Sequence, residues 1–285
     1  MIKTTSTSKD QGVDASPATV LGTPPVQTEK IEHNFPTEVI NLPSKGLLYP
    51  EDSPLRSGTI EIKYMTAKEE DILSTTSYIK NGIVLDKICE SIIVTPGVKY
   101  NDLLIGDKNA LLLAARIYGY GPEYNTTVTK SDGSTVKLSV DLTQVGNKYF
   151  DSSLITPGTN HFSLELPMSK KTIEFQLLTV GKQKEIEADV KGLKSLGPNK
   201  PEQNLTVRLR HMITSVDGNS DIGTINKFVN NMLARDSRAF REYVQEVQPD
   251  INLNIQTEDP NTGETFRGDV TIGVDLLYPD YKPNS

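Results

Sequence analysis

No hydrophobic period in this chain persists for long. Segments that alternate polar and apolar residues are brief, they come mostly in pairs, and segments of helical spacing lie between them. Val39 to Leu42 reads as a short strand, with a turn at Pro43-Ser44-Lys45-Gly46. Thr59 to Tyr64 alternates as a half-buried strand does. Tyr124 to Thr129 and Thr135 to Leu142 flank Ser131-Asp132-Gly133, and Asp-Gly is a strong hairpin signal. His161 to Leu166 pairs with Thr172 to Leu177, and Ile251 to Gln256 with Val270 to Leu276. Short antiparallel pieces among short helices predict an α+β fold.

The helical segments carry start and stop signals. Thr66 and Glu69 form a capping box that satisfies the first free amides of a helix. Leu85, Ile88, Cys89 and Ile92 share one face of a helix over about 83–93, which makes Cys89 a small buried hydrophobe. Asp107 reads as the N-cap of a helix from Asn109 to Tyr118, ended by Gly119 and Gly121. Its Ala110 to Ala115 stretch is apolar most of the way round, the mark of a central core helix. Another helix covers about Lys182 to Leu193, before a break at Gly197 to Pro201. Three short helices follow. Leu205, Leu209, Met212, Ile213 and Val216 share the first face, then Ile222, Ile225, Val229 and Met232, then Phe240, Tyr243, Val244 and Val247.

Residues 59–142 and 161–277 repeat one order: strands, helices, hairpin. We therefore expect two loosely similar modules, 39–150 and 151–285, behind a disordered N-terminal arm over 1–38. Twelve of the first thirty residues are Ser, Thr or Pro, too few apolar groups to offset ordering entropy.

Composition narrows the function. Thirty basic against 37 acidic residues give a net charge of −7 and a pI near 5.2, against a general nucleic-acid or anionic-membrane binder. Cys89 is the single cysteine, so neither an intrachain disulfide nor a cysteine-based zinc site can form, which suits a reducing compartment. The first residues lack the apolar core of a signal peptide, and no apolar run approaches the roughly 20 residues of a membrane span. His33, His161 and His211 are scattered, without metal-ligand spacing. Gly106-Asp107-Lys108 lacks the remainder of a phosphate loop, and Gly119-Tyr120-Gly121 lacks the third glycine of a dinucleotide fingerprint. No two carboxylates stand out as acid and base. An enzyme is not expected.

One charged cluster calls for a reading. Arg235, Arg238 and Arg241 recur at every third residue on the last predicted helix. Three helices ending in such a face could imitate a helix-turn-helix reader of DNA. Residues 203–250, however, carry six Arg/Lys and six Asp/Glu, so no net positive field is present. Asp236, Glu242 and Glu246 are placed for pairing within the helix. Surface ion pairs or contacts with an acidic partner subunit are the better use of the three arginines, and a nucleic-acid-binding regulator is the alternative.

Several phrases of the chain resemble a known family. They are Leu42-Pro43-Ser44-Lys45-Gly46-Leu47-Leu48-Tyr49-Pro50, Met65 to Leu73, and the block from Leu103 through Gly106-Asp107-Lys108-Asn109 to Gly119-Tyr120-Gly121-Pro122-Glu123-Tyr124. Asp236 to Tyr243 and Leu276-Leu277-Tyr278-Pro279-Asp280 complete the set. Over about residues 40–280 the chain is similar to the baseplate hub family of T-even-type myophages, whose tails contract. The resemblance implies a non-enzymatic structural or assembly protein. Its partners would be other baseplate and hub proteins, extending to tail-tube or tape-measure protein. It would occupy the host cytoplasm during assembly and the tail baseplate once in the virion. Some relatives carry paired cysteines in the two hairpins, in the manner of zinc ribbons. Residues 128–133 and 257–263 hold none here, so no metal or other cofactor is expected.

Overall fold

A computed structural model describes residues 35–129, 135–195, 204–258, 263 and 265–278. The first pair of strands, β1 (Thr37–Asn41) and β2 (Thr59–Lys63), is antiparallel with Thr37 opposite Lys63. The loop between them folds back on itself. Gly46 and Gly58 both take positive φ, and a Cβ at Gly46 would lie 2.3 Å from the Arg56 carbonyl oxygen, so only glycine fits that close approach.

Helices α1 (Ala67–Ser74), α2 (Thr76–Lys80), α3 (Val84–Ile92) and α4 (Ile105–Tyr120) follow. Both halves of the Thr66–Glu69 capping box are formed. Cys89 is wholly buried on the apolar face of α3, beside Ile88 and Ile92. Leu111, Leu112 and Ala115 put α4 in the core, as its composition suggests. Two details differ from expectation. The helix starts at Ile105, so Asp107 sits inside its first turn and caps nothing; its side chain is turned inward. Gly119 does not end the helix, which runs to Tyr120 and stops at Gly121 with φ 84°. Gly119 is instead crowded by Met65, whose Cε would lie 2.3 Å from an added Cβ.

The first hairpin is β3 (Glu123–Thr129) with β4 (Thr135–Asp141). Strands β5 (Phe162–Glu165) and β6 (Thr172–Phe175) then begin a third sheet. After α5 (Val180–Ser195) and α6 (Asn204–Met212), strand β7 (Ile213–Val216) joins it, giving the antiparallel order β5–β6–β7. The helical period read through Val216 therefore ends at Met212. Ile213 and Val216 are buried as strand residues, β-branched side chains that pack well on a sheet. Next come α7 (Ile222–Asn230) and α8 (Ala234–Val247). Ile225 and Val229 are buried as the spacing predicts, but Ile222 is 75% exposed at the first position of its helix.

The terminal hairpin is displaced from its expected bounds. It pairs β8 (Asn254–Glu258) with β9 (Thr265–Asp269), while Val274–Leu277 forms a short helix, α9. The chain is α+β: helices beside small antiparallel sheets. The arm expected over 1–38 is cut short by β1, which takes in Thr37 and Glu38; residues 1–34, 130–134 and 259–262 and the Gly-Pro break at 197–201 lie outside the described residues.

One apolar cluster runs from Ile40 to Leu277. Phe175 lies at its centre, stacked on Phe162 at 5.3 Å and meeting the edge of Phe240 at 4.8 Å. A smaller cluster of Leu113, Leu142, Ile251, Val270 and Leu276 underlies the two hairpins. Backbone also joins distant parts of the chain. Lys148 N–H donates to the Asp250 carbonyl at 2.8 Å, and Asn252 N–H to the Gly146 carbonyl at 2.7 Å.

Gly106 permits the closest of these approaches. An added Cβ would lie 2.0 Å from the Pro249 carbonyl oxygen, so α4 touches the 249–250 backbone there. In an ordinary helix Gly→Ala stabilises by about 1 kcal/mol. Here the sign should reverse. We expect Gly106→Ala to cost about 1–3 kcal/mol through overpacking, read as a lowered urea midpoint. An unchanged or raised midpoint would show that the 249–250 segment yields without strain.

Candidate interaction surface

Helix α8 is held at both ends. Pro249 cannot continue it, and the Lys148 ammonium lies against its last turn, donating to the Gln245 carbonyl and, at 3.4 Å, to that of Gln248. A cation at this end also complements the helix dipole. At the other end, the wholly buried Asp236 accepts hydrogen bonds from the backbone amides of Met168 (2.7 Å) and Ser169 (3.0 Å) in the β5–β6 turn. Burial would push its carboxyl up, but those amides and the nearby Arg235 hold it below the usual carboxylate range. Asp236 is thus a brace between α8 and the sheet, not an intrahelical partner for an arginine.

Phe240 and Val247 face inward. Arg235, Arg238 and Arg241 face outward, brought together as their spacing predicts. Arg238 Nε pairs with Glu242 Oε1 at 2.7 Å, one turn along and open to solvent, an arrangement that contributes little to stability. Arg241 donates through Nε to the Ser237 carbonyl at 3.3 Å. Strand β7 separates α6 from α7, so the three helices do not run consecutively.

Two other buried carboxylates, Asp107 and Glu69, are also braces. Asp107 accepts from the Ser44 amide (3.0 Å), the Ser44 hydroxyl (2.7 Å) and the Tyr49 hydroxyl (2.6 Å), and the Tyr49 oxygen accepts from the Leu104 amide (2.9 Å). This network fastens the loop after β1 to the start of α4. Burial drives the Asp107 carboxyl and the Tyr49 phenol upward. Glu69 is likewise inaccessible, accepting from Lys63 Nζ (2.7 Å), the Ser91 hydroxyl (2.5 Å), and the Thr66 amide (2.9 Å) and hydroxyl (2.7 Å). The sequence reading placed Glu69 in a capping box and missed its buried ion pair; Lys63, six residues earlier on a strand, gave no local signal. Cys89 is no nucleophile, since burial pushes its thiol up to about 12.

His161 stands 3.7 Å from Glu174, and His211 lies 2.9 Å from Asp189 and 3.7 Å from Glu185. His33 lies outside the described residues. Among the described residues, no three or more His, Cys, Asp or Glu side chains group to hold a metal ion. No helix there is long and apolar enough to cross a membrane.

A family model described as T4 bacteriophage base plate protein matches residues 37–272, so the chain belongs to that family. It is a structural protein of the baseplate of T4-type phages. No curated protein and no solved structure matches the chain.

Proposed function

We propose that this subunit belongs to the hub of the contractile tail's baseplate, that it works through protein–protein contacts without catalysis, and that Arg235, Arg238 and Arg241 are charged contacts to its neighbours. The observation that carries the reading is the outward arginine face on a helix fixed at both ends. Arginine suits such a role because its planar fork can grip a carboxylate with two hydrogen bonds. Neighbouring hub and baseplate proteins, and tail-tube or tape-measure protein, are the proposed partners. Assembly would take place in the host cytoplasm.

Mass spectrometry of purified tails, or of hub intermediates from infected cells, should recover this chain with other baseplate proteins. The double variant Arg238→Glu/Arg241→Glu should impair tail assembly in complementation of a phage lacking the gene. Its melting should barely change, because exposed substitutions stay within about 0.5 kcal/mol each. Full complementation would make both arginines ordinary solvated residues. A collapsed melting temperature would make them internal structural pairs.

A further inference from the structure

The space between α6 and α8 is an open groove of about 720 Å³ with an apolar floor that includes Met212, Phe240 and Val244. Leu205, in the first turn of α6, stands at its lip and is 42% exposed. A second groove, about 600 Å³, follows the other side of α6 against α5 and shares Leu205 and Arg208 with the first. The outer side of α6 is therefore a ridge with a leucine and an arginine on its crest. A helix of about 10–12 Å diameter presents the shape that such a trough accommodates.

The charges around the trough are unevenly engaged. Arg208 donates to Gln183 Oε1 at 3.1 Å and Arg241 to a carbonyl of its own helix. Neither has a carboxylate partner among the described residues. Both guanidinium groups are exposed and open to a partner. Of the acids on the α8 side, Glu242 is held by Arg238, and Asp250 accepts from Asn109 at 3.0 Å, which leaves Glu246. A pair of guanidinium forks beside an apolar floor matches apolar side chains on one face of a partner and carboxylates along its margin.

We propose that an acidic amphipathic helix of a neighbouring baseplate protein lies in the α6–α8 groove, its apolar stripe on Leu205 and Val244 and two of its carboxylates on Arg208 and Arg241. The proposal rests on the baseplate reading and extends it. It assigns Arg208, which no sequence pattern singled out, and it gives Arg241, at the edge of the groove, a specific carboxylate partner.

Photo-crosslinking tests it. p-Benzoylphenylalanine is placed at Leu205 of the full chain, which is supplied to a phage lacking the gene. Assembled tails are irradiated, and the crosslinked peptide is sequenced. The expected peptide comes from another baseplate protein, has helical apolar spacing, and carries at least two Asp or Glu on one margin. Arg208→Glu/Arg241→Glu should reduce the crosslink about tenfold or more, since truncating one side of a desolvated charge pair is costly. If the Leu205 variant fails to fold, the probe moves to the exposed Gln245 on the opposite wall. A crosslink to a basic segment, to a second copy or to this chain itself would overturn the proposal, as would no crosslink in tails that contain the protein. Absence of the chain from every tail complex would instead overturn the hub reading.

Discussion

Replacing Asp107 by alanine is expected to remove about 3–5 kcal/mol of stability, enough to leave the protein largely unfolded. Three donors converge on this carboxylate, from the Ser44 amide, the Ser44 hydroxyl and the Tyr49 hydroxyl, and none of its surface reaches solvent. Truncation strands all three in an apolar surround, where each unmet group costs about 1–3 kcal/mol. The loss also reaches Tyr49, which is held in place to accept from the Leu104 amide. Asp107→Asn keeps the volume but turns an amide donor toward other donors, so about 1–3 kcal/mol should be lost there. Urea denaturation of both variants gives the ordering. A loss below about 1 kcal/mol for alanine would mean that water enters and replaces the carboxylate, a cost of the kind ordered water can meet.

The second large effect concerns Lys63 and Glu69. Removing one member of a buried pair leaves the other charge uncompensated, at a cost of about 3–5 kcal/mol. Lys63→Met should therefore destabilise strongly, although Ser91 and Thr66 still donate to Glu69. The pair also sets an acid limit. Burial alone would raise the Glu69 carboxyl, but the Lys63, Ser91 and Thr66 bonds outweigh it and hold it down at about 2, against an ordinary 4.5. A carboxyl depressed in the folded state stabilises above its unfolded pKa and loses that contribution as pH falls through the folded value. On the order of 3 kcal/mol should fade between those two pH values, at 1.36 kcal/mol per pH unit. Melting temperature against pH should fall across this window for the wild type. Glu69→Gln should lose that component of the slope, and an unchanged slope would assign acid sensitivity to other carboxyls.

Local signals are legible in the sequence where no distant partner overrides them. The Thr66–Glu69 capping box, the buried face of α3 and the start of the first hairpin depend on residues a few positions apart, and all were legible. Asp107 was read as a helix cap because Asp before an apolar run commonly caps; its real partners are 58 and 63 residues earlier in the chain. Asp236 was read as a helical ion-pair partner for the same reason, while its acceptor role serves a turn near residue 168. The helical spacing through Val216 hid β7, since its four residues are too few to break an apolar period and only the edge of β6 defines them as a strand. At the candidate surface, Arg235, Arg238 and Arg241 were visible from spacing. Arg208 is not, because a groove between two helices exists only once both are packed, and Leu205, expected with the apolar face of its helix, is instead 42% exposed in the first turn of α6.

The Asp236 brace has a kinetic and entropic consequence for docking. Two backbone amides of the β5–β6 turn fix the first turn of α8, and Lys148 fixes the last, so the arginine-bearing backbone has little freedom left to lose when a partner arrives. Association then immobilises side chains alone, at about 0.5–1.5 kcal/mol for each long one, rather than a whole segment. Weakening that brace, for example by Asp236→Ala, should slow docking and loosen it even though no contact residue is altered.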